Sequence, residues 1–460
     1  MSPSVASQNQ GSLCAPASQP TQSRRWVTMV LVVAVLLPAI LSFGILFRQS
    51  LFVPYQDDYN AILAFAIDYK HLPNLSEKVL DIAAAQHNEY KLSFEHAVVA
   101  SELELDHHLN FTFLVVLGDC FLIGIGYFLW KIYSPEGMDL SLRLRRFLPI
   151  SLLFFSLTYW ENLNWAMTGL QNTPVIFFSL LGLYLLIPVD QSLPGLPRMI
   201  AACVVAALAA FTSANGFLLA LVGLLFLLPR RAYGRSLMWC ASFVVPFAAY
   251  LYHYRHTGEH PLSRFHLITR PFFFLAFIGG VIPHRWIALL VGFVMLSIIL
   301  LAIRSRFDQI NPVGFYSAAW AIATGLLVAW VRGAGYFGVA SRYSFYSVLL
   351  LIFCYSFLDQ YFSSRLSEAH RRRFYTISLV FAFGFWFTGN VSAYRALGAR
   401  RQMVLKGIEF YRAAPGTNSP MIDPLVEKAF PNEKTFEQVV LTRAIEEGVY
   451  ALPPKPEIHK

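Results

Sequence analysis

Long apolar runs separated by short polar stretches organise this chain. The first run, Trp26 to Phe47, follows Arg24 and Arg25 and is about 22 residues long. That exceeds the roughly 7–15 apolar residues of a cleaved leader and suffices to cross a bilayer as a helix. It predicts an uncleaved first span with the N-terminus cytoplasmic. Further runs lie near 110–131, 147–160, 172–188, 199–213, 216–229, 236–253, 286–303, 314–331, 343–362 and 374–390. Together they predict an all-α polytopic bundle of about eleven transmembrane helices. Several runs fall short of the roughly 20 residues that an unaided span needs, so they must tilt or continue as helix beyond the hydrocarbon.

The polar stretches divide the chain. Residues 1–23, rich in Ser, Gln and Ala, read as a disordered cytoplasmic tail. Residues 24–390 form the membrane domain, which includes a long first outer loop at 48–108. Residues 391–460 are mixed polar with six prolines from Pro415 to Pro454 and read as an outer C-terminal segment. The apolar stretch Pro271 to Pro283 has only about 13 residues, too few to span, and reads as re-entrant or interfacial. No internal repeat or inverted symmetry of the transporter kind is visible.

Composition agrees: 56% of the residues are hydrophobic, 14% are charged and the mean hydropathy is +0.51, against roughly 25% charged in soluble proteins. The net charge of +9 raises a nucleic-acid reading, which the placement of the charges rejects. With the N-terminus inside, Arg143, Arg145 and Arg146 fall inside, as do Arg230, Arg231 and Arg235, then Arg304 and Arg306, then Arg365, Arg371, Arg372 and Arg373. That is positive-inside topology, so no nucleic-acid partner is expected. Of five cysteines, Cys120, Cys203, Cys240 and Cys354 lie in apolar runs and no CxxC occurs, so neither disulfide nor zinc is expected.

Candidate chemistry collects in the outer loops. Tyr55-Gln56-Asp57-Asp58-Tyr59 places two carboxylates at a membrane exit. They are expected either to cap a helix running to about Tyr69 or to act chemically. Gln86-His87-Asn88-Glu89-Tyr90-Lys91 precedes Glu95-His96. If helical, His87, Lys91 and Glu95 share a face, as a salt-bridged surface or as the lining of a polar cavity. Tyr159-Trp160-Glu161-Asn162-Leu163-Asn164-Trp165, with Gln171 and Asn172, suits sugar recognition, or an aromatic belt with hydrogen-bonded loop polars. Thr212-Ser213-Ala214-Asn215-Gly216 reads as a tight turn. His253, Arg255, His256, His260, Arg264, His266 and Arg270 put basic groups outside. That placement runs against the charge rule and asks for an anionic ligand or anionic headgroups. Arg332 and Arg342 flank a Gly-rich loop and suit phosphate binding, or simple snorkelling at helix ends.

This layout resembles the GT-C class of membrane glycosyltransferases, the enzymes of lipid-linked sugars. The likeness lies in a cytoplasmic N-terminus, one helix, then a long first outer loop opening on an acidic pair, here Asp57-Asp58. The resemblance implies a polyprenyl-phosphate sugar donor and transfer to a glycan, glycolipid or protein acceptor on the periplasmic side of a bacterial inner membrane. It implies Asp57 as general base with Asp58 as partner or alternate. Arg332 and Arg342 are then expected at the phosphate, with Lys91 and Arg255 behind them. His87, Glu89, Glu161, Asn162, Trp165 and Asn172 are expected at the sugar or acceptor. A divalent metal, used by some of the class, stays open. The competing expectations are a transporter or flippase of a lipid-linked saccharide, for which Asp119 is the clearest midspan polar residue, and a non-catalytic envelope scaffold.

Overall fold

A computed structural model of the chain describes residues 22–88, 90–134, 137–255, 264–332, 340–363, 365–413 and 436–453. The N-terminal tail, Glu89, His256, His260 and most of the Gly-rich loop after Arg332 lie outside these residues. The protein is an all-α, multi-pass membrane protein, and seven helices among the described residues are long and apolar enough to cross a bilayer. They are α1 (Gln22–Gln49), α5 (Phe111–Tyr133), α7 (Ala166–Leu186), α13 (Arg285–Arg304), α14 (Pro312–Arg332), α15 (Ser344–Ser363) and α16 (Glu368–Ala413). Shorter apolar helices fill in between them: α6 (Leu140–Phe154), α8 (Leu196–Thr212), α9 (Leu218–Leu227), α10 (Tyr233–Ala241), α11 (Val244–Leu251) and α12 (Arg264–Ile278).

Three expected boundaries move. The run at 147–160 is split, because α6 stops at Phe154 and a 3₁₀ turn takes over at Leu157–Leu163. The run at 236–253 breaks at Ser242 and Phe243 into α10 and α11. The division at 390 falls inside α16, which continues to Ala413. Apolarity reports where lipid ends, whereas the backbone hydrogen bonds of a helix continue into water.

Two cores form. The larger fills the bundle and contains Trp239, Trp320, Phe277 and Phe353. The second sits at one end and gathers Tyr59, Ile62, Val99, Leu103, Trp165, Leu170, Ile408 and Leu441. It joins the first long loop, the start of α7, the end of α16 and a C-terminal helix, α17 (Phe436–Glu446). The loop itself holds a π-helical turn at Tyr59–Ala64 that runs into α2 (Phe65–Lys70), then α3 (Leu75–Ala84) and α4 (Ser93–Asp106). The C-terminal segment closes over it, where the Leu109 N–H donates to the Val449 carbonyl at 2.8 Å.

α12 packs against α13, α14 and α15. Ser344 donates to the Gly280 carbonyl at 2.6 Å and Ser347 to that of Phe277, both from the first turn of α15. Arg270, about two turns before Phe277 in α12, stands over Trp330 in the last turn of α14. α12 then packs back to back on α13 through Gly279 and Gly292. A Cβ at Gly292 would stand 1.9 Å from the Leu275 carbonyl oxygen, whereas one at Gly384 would meet nothing within 4 Å. Gly292→Ala should therefore cost roughly 1–3 kcal/mol through overpacking and lower the thermal midpoint of the purified protein. Gly384→Ala should not. Equal midpoints for the two variants would contradict the packing described here.

Candidate active site

The two adjacent carboxylates do different things. The chain reverses at Tyr55-Gln56-Asp57-Asp58, with Gln56 at φ +45° and the Asp58 N–H donating to the Tyr55 carbonyl at 3.0 Å. Asp58 is fully buried. Its Oδ2 accepts from the Tyr55 N–H at 3.0 Å and its Oδ1 from the Met167 N–H at 2.9 Å, in the first turn of α7. It occupies the cap position of the turn at Tyr59 but makes no side-chain cap bond, so the capping expectation is not met. Both oxygens instead tie the first loop to α7. Burial pushes its carboxyl up to about 7, against the pull of the Met167 and Tyr55 amides and of Arg400.

Asp57 points the other way, 40% exposed, with Oδ1 at 3.6 Å from His87 Nε2. That distance is longer than a normal hydrogen bond. Burial alone would raise the Asp57 carboxyl. His87, Arg342 and Arg332 together outweigh it and hold the group below its ordinary value. Asp57 is thus an available carboxylate facing two guanidinium groups.

Asp57, Arg332 and Arg342 line one cavity of 280 Å³ together with Thr168, Gln171, Asn172, Ser213, Asn215 and five tyrosines, Tyr90, Tyr250, Tyr254, Tyr343 and Tyr346. The volume lies just under the range of about 300–1,000 Å³ usual for small-molecule sites, which is room for one small ring rather than an oligosaccharide. Amides and hydroxyls are positioned by one another. Asn215 Nδ2 donates to the Tyr346 hydroxyl at 2.9 Å, and Gln171 Nε2 to Ser213 Oγ at 3.4 Å. The turn Thr212 to Gly216, uninformative in sequence, therefore supplies part of the wall.

Glu161, Asn162 and Trp165 act one layer back. Glu161 Oε2 accepts from the Arg342 N–H at 3.3 Å, and Asn162 Nδ2 donates to the Arg342 carbonyl at 2.8 Å. Asn172 donates to Asn162 Oδ1 at 3.1 Å. The Arg342 guanidinium lies 5.6 Å from the buried Trp165 ring. These residues hold the arginine rather than line the cavity, apart from Asn172.

The expected helical stripe His87, Lys91 and Glu95 does not form. Gln86–His87 and Tyr90–Lys91 are short antiparallel strands, β1 and β2, turned at Asn88 with φ +50°, and α4 starts only at Ser93. Lys91 is committed to backbone, donating to the Ala84 carbonyl at 2.6 Å and to that of Tyr252, so it is not available to a phosphate in this conformation. Arg255 sits outside the cavity, with its backbone paired reciprocally to the Gln86 amide at 2.9 and 2.5 Å. Glu95 is buried with neither carboxyl oxygen partnered, and burial together with Asp58 and Asp57 raises it well above its ordinary value. Glu89 lies outside the described residues.

Sequence reasoning missed two groups. Tyr250 and Tyr254 come from the end of α11 and the segment after it, brought to the cavity by the Lys91 and Gln86 bonds. Arg400, deep in α16, stacks 3.5 Å from the Tyr55 ring. An arginine ten residues beyond an expected span offers no local signal of this. Among the described residues no three His, Cys, Asp or Glu side chains gather as a metal site.

No protein-family model matches the chain, and a comparison with curated proteins finds no relative. Among solved structures the chain is similar to the crystal structure of ArnT from Cupriavidus metallidurans in the apo state. The two share 16% identity over 91% of this chain and 76% of that one, with a TM-score of 0.45. A likeness this slight carries no conclusion about function.

Asp58 gives a pH prediction. A carboxyl raised in the folded state contributes stability that is fully present below its unfolded value, 3.8, and lost as pH rises through about 7. Wild type should therefore lose stability relative to Asp58→Asn between about pH 4 and pH 8. Thermal midpoints of both proteins across that range check it, and parallel curves would contradict it.

Proposed function

We propose that this chain is a membrane glycosyltransferase. It moves one sugar from a polyprenyl-phosphate donor to an envelope acceptor at the periplasmic face of a bacterial inner membrane. The observation that carries the reading is a carboxylate, Asp57, facing Arg332 and Arg342 across a cavity walled by tyrosines, amides and hydroxyls. Nucleophile activation, sugar recognition and leaving-group stabilisation need those three kinds of group.

Asp57 takes the proton of an acceptor hydroxyl. The freed oxygen attacks the anomeric carbon as the bond from that carbon to the phosphate oxygen breaks. The electron pair leaves with the lipid phosphate, whose charge Arg332 and Arg342 stabilise. Tyrosine faces suit the apolar side of a sugar ring, while Gln171, Asn172 and Asn215 suit its hydroxyls. Asp58 is a positioning residue in this reading, since both its oxygens are occupied. A second cavity of 760 Å³ between α12, α13, α15 and α16 is mainly apolar, with Thr158, Arg285 and Ser341 among its polar residues. It offers room for a polyprenyl tail beside the loop that carries Arg342.

The transporter reading has one observation in its favour. Asp119, within α5, is buried with neither carboxyl oxygen partnered, and intramembrane acids often mark ion paths. A polar cavity at one end of the bundle fits transfer better than passage.

The test is mass spectrometry of envelope glycans and glycolipids from a deletion strain, complemented with wild type, Asp57→Asn or Asp58→Asn at matched protein levels. Loss of one defined sugar mass with Asp57→Asn, by about 100-fold or more as expected for a missing general base, supports the reading. A wild-type profile from Asp57→Asn sinks it.

A further inference from the structure

Among the described basic residues between α11 and α13, Arg270 has a setting that asks for a ligand of its own. It stands on α12 at the end of the bundle opposite the dense arginine clusters at the start of α6 and the ends of α9, α13 and α15. Positive-inside placement therefore does not account for it. Its guanidinium carbon lies 4.1 Å from the Trp330 ring. Its Nε and Nη1 are buried and have no acceptor. A guanidinium offers five N–H donors and cannot shed its charge, so buried unpaired donors of this kind are costly. Among the described residues nothing supplies that acceptor, which leaves the position open to a bound molecule.

The surroundings say from where. Along α14, Thr324, Val328 and Val331 line the Asp57 cavity, while Leu326 and Trp330, four residues apart, fall on the other flank and are more than half exposed. On α12, Leu267 and Ile268 are likewise exposed. Neither Arg270 nor Trp330 lines the Asp57 cavity. The open side of Arg270 is thus an apolar flank, and in a membrane protein that flank faces lipid. Tryptophan at the end of a spanning helix sits at headgroup level, and arginine matches phosphate oxygens with paired, charge-assisted hydrogen bonds.

We propose that Arg270 and Trp330 form a binding site for the phosphodiester headgroup of an anionic bilayer phospholipid, separate from the Asp57 cavity. Trp330 holds the guanidinium flat, and Arg270 donates to the phosphate oxygens. Among the described residues no carboxylate pairs with Arg270 to take the ammonium of a zwitterionic headgroup, so net anionic lipids are preferred. The site stands whether or not the chain transfers sugars.

Native mass spectrometry of the delipidated full-length protein tests it, with phosphatidylglycerol, phosphatidylcholine, inorganic phosphate and a polyprenyl monophosphate as probes. Wild type should bind phosphatidylglycerol in preference to phosphatidylcholine. Arg270→Gln should weaken that binding about tenfold, the loss expected for a charged hydrogen-bonding group. Arg270→Lys, which keeps the charge without the fork, should fall between. Trp330→Leu, which leaves the charge intact, should weaken it less than Arg270→Gln, and it keeps the test open if Arg270→Gln does not fold. Unchanged phosphatidylglycerol binding in Arg270→Gln or in Trp330→Leu overturns the proposal, as does equal binding of phosphatidylcholine. Competition by inorganic phosphate at equal concentration would make this a free-phosphate site, and displacement by polyprenyl monophosphate alone would make it a donor site. Either result overturns the assignment to a bilayer phospholipid.

Discussion

Two backbone amides, those of Tyr55 and Met167, donate to one buried carboxylate, and the arrangement of the whole functional end depends on that contact. Asp58 closes a reverse turn at the exit of α1 and fastens it to the first turn of α7. The turn fixes where Asp57 points. The α7 start fixes Thr168, Gln171 and Asn172. Neither segment has another covalent reason to be near the other. A buried acceptor shared between them converts two loosely related loops into one rigid wall, because leaving either amide unpaired in that core would be costly.

Adjacent carboxylates with opposite surroundings then acquire opposite properties. Asp58 is enclosed, and burial raises it. Asp57 is half open and faces His87, Arg342 and Arg332, which lower it. Environments that push two neighbouring acids apart in this way separate a structural role from a chemical one. Arg342 is itself held. Arg342 has its N–H and carbonyl bound by Glu161 and Asn162 and its guanidinium beside Trp165. In the proposed reaction a guanidinium already in place would lower the reorganisation needed when negative charge develops beside it.

The hairpin at 86–91 shows how little a residue's type says about its role. Lys91 is cationic and close to the site in sequence, yet its ammonium is used to gather the Ala84 and Tyr252 carbonyls. Through it, and through Gln86, the segment after α11 is drawn in and brings Tyr250 and Tyr254 to the cavity. On the opposite flank, Arg270 uses the same kind of charge with no protein acceptor for two of its nitrogens. Whether a cation serves backbone, substrate or lipid is decided by which acceptors the fold leaves within reach.

The sequence by itself determined the all-α membrane class, the first span, the long polar loop after it and the interest of Asp57, Arg332 and Arg342. These follow from local properties: the length of apolar runs, the placement of charge and the cost of acids beside lipid. It misplaced the helical stripe through His87, Lys91 and Glu95, because a six-residue polar stretch carries no period strong enough to separate hairpin from helix. It named Asp57 as base but left Asp58 as partner or alternate, since the difference between them is one of burial and partners. Only the tertiary structure decided that Asp58 reaches Met167 more than a hundred positions away, that Arg400 stacks on Tyr55, and that Ser213 and Asn215 from a plain turn stand beside the arginines. Those contacts join segments far apart in the chain, and their geometry is set by packing between elements, which no local window of sequence contains.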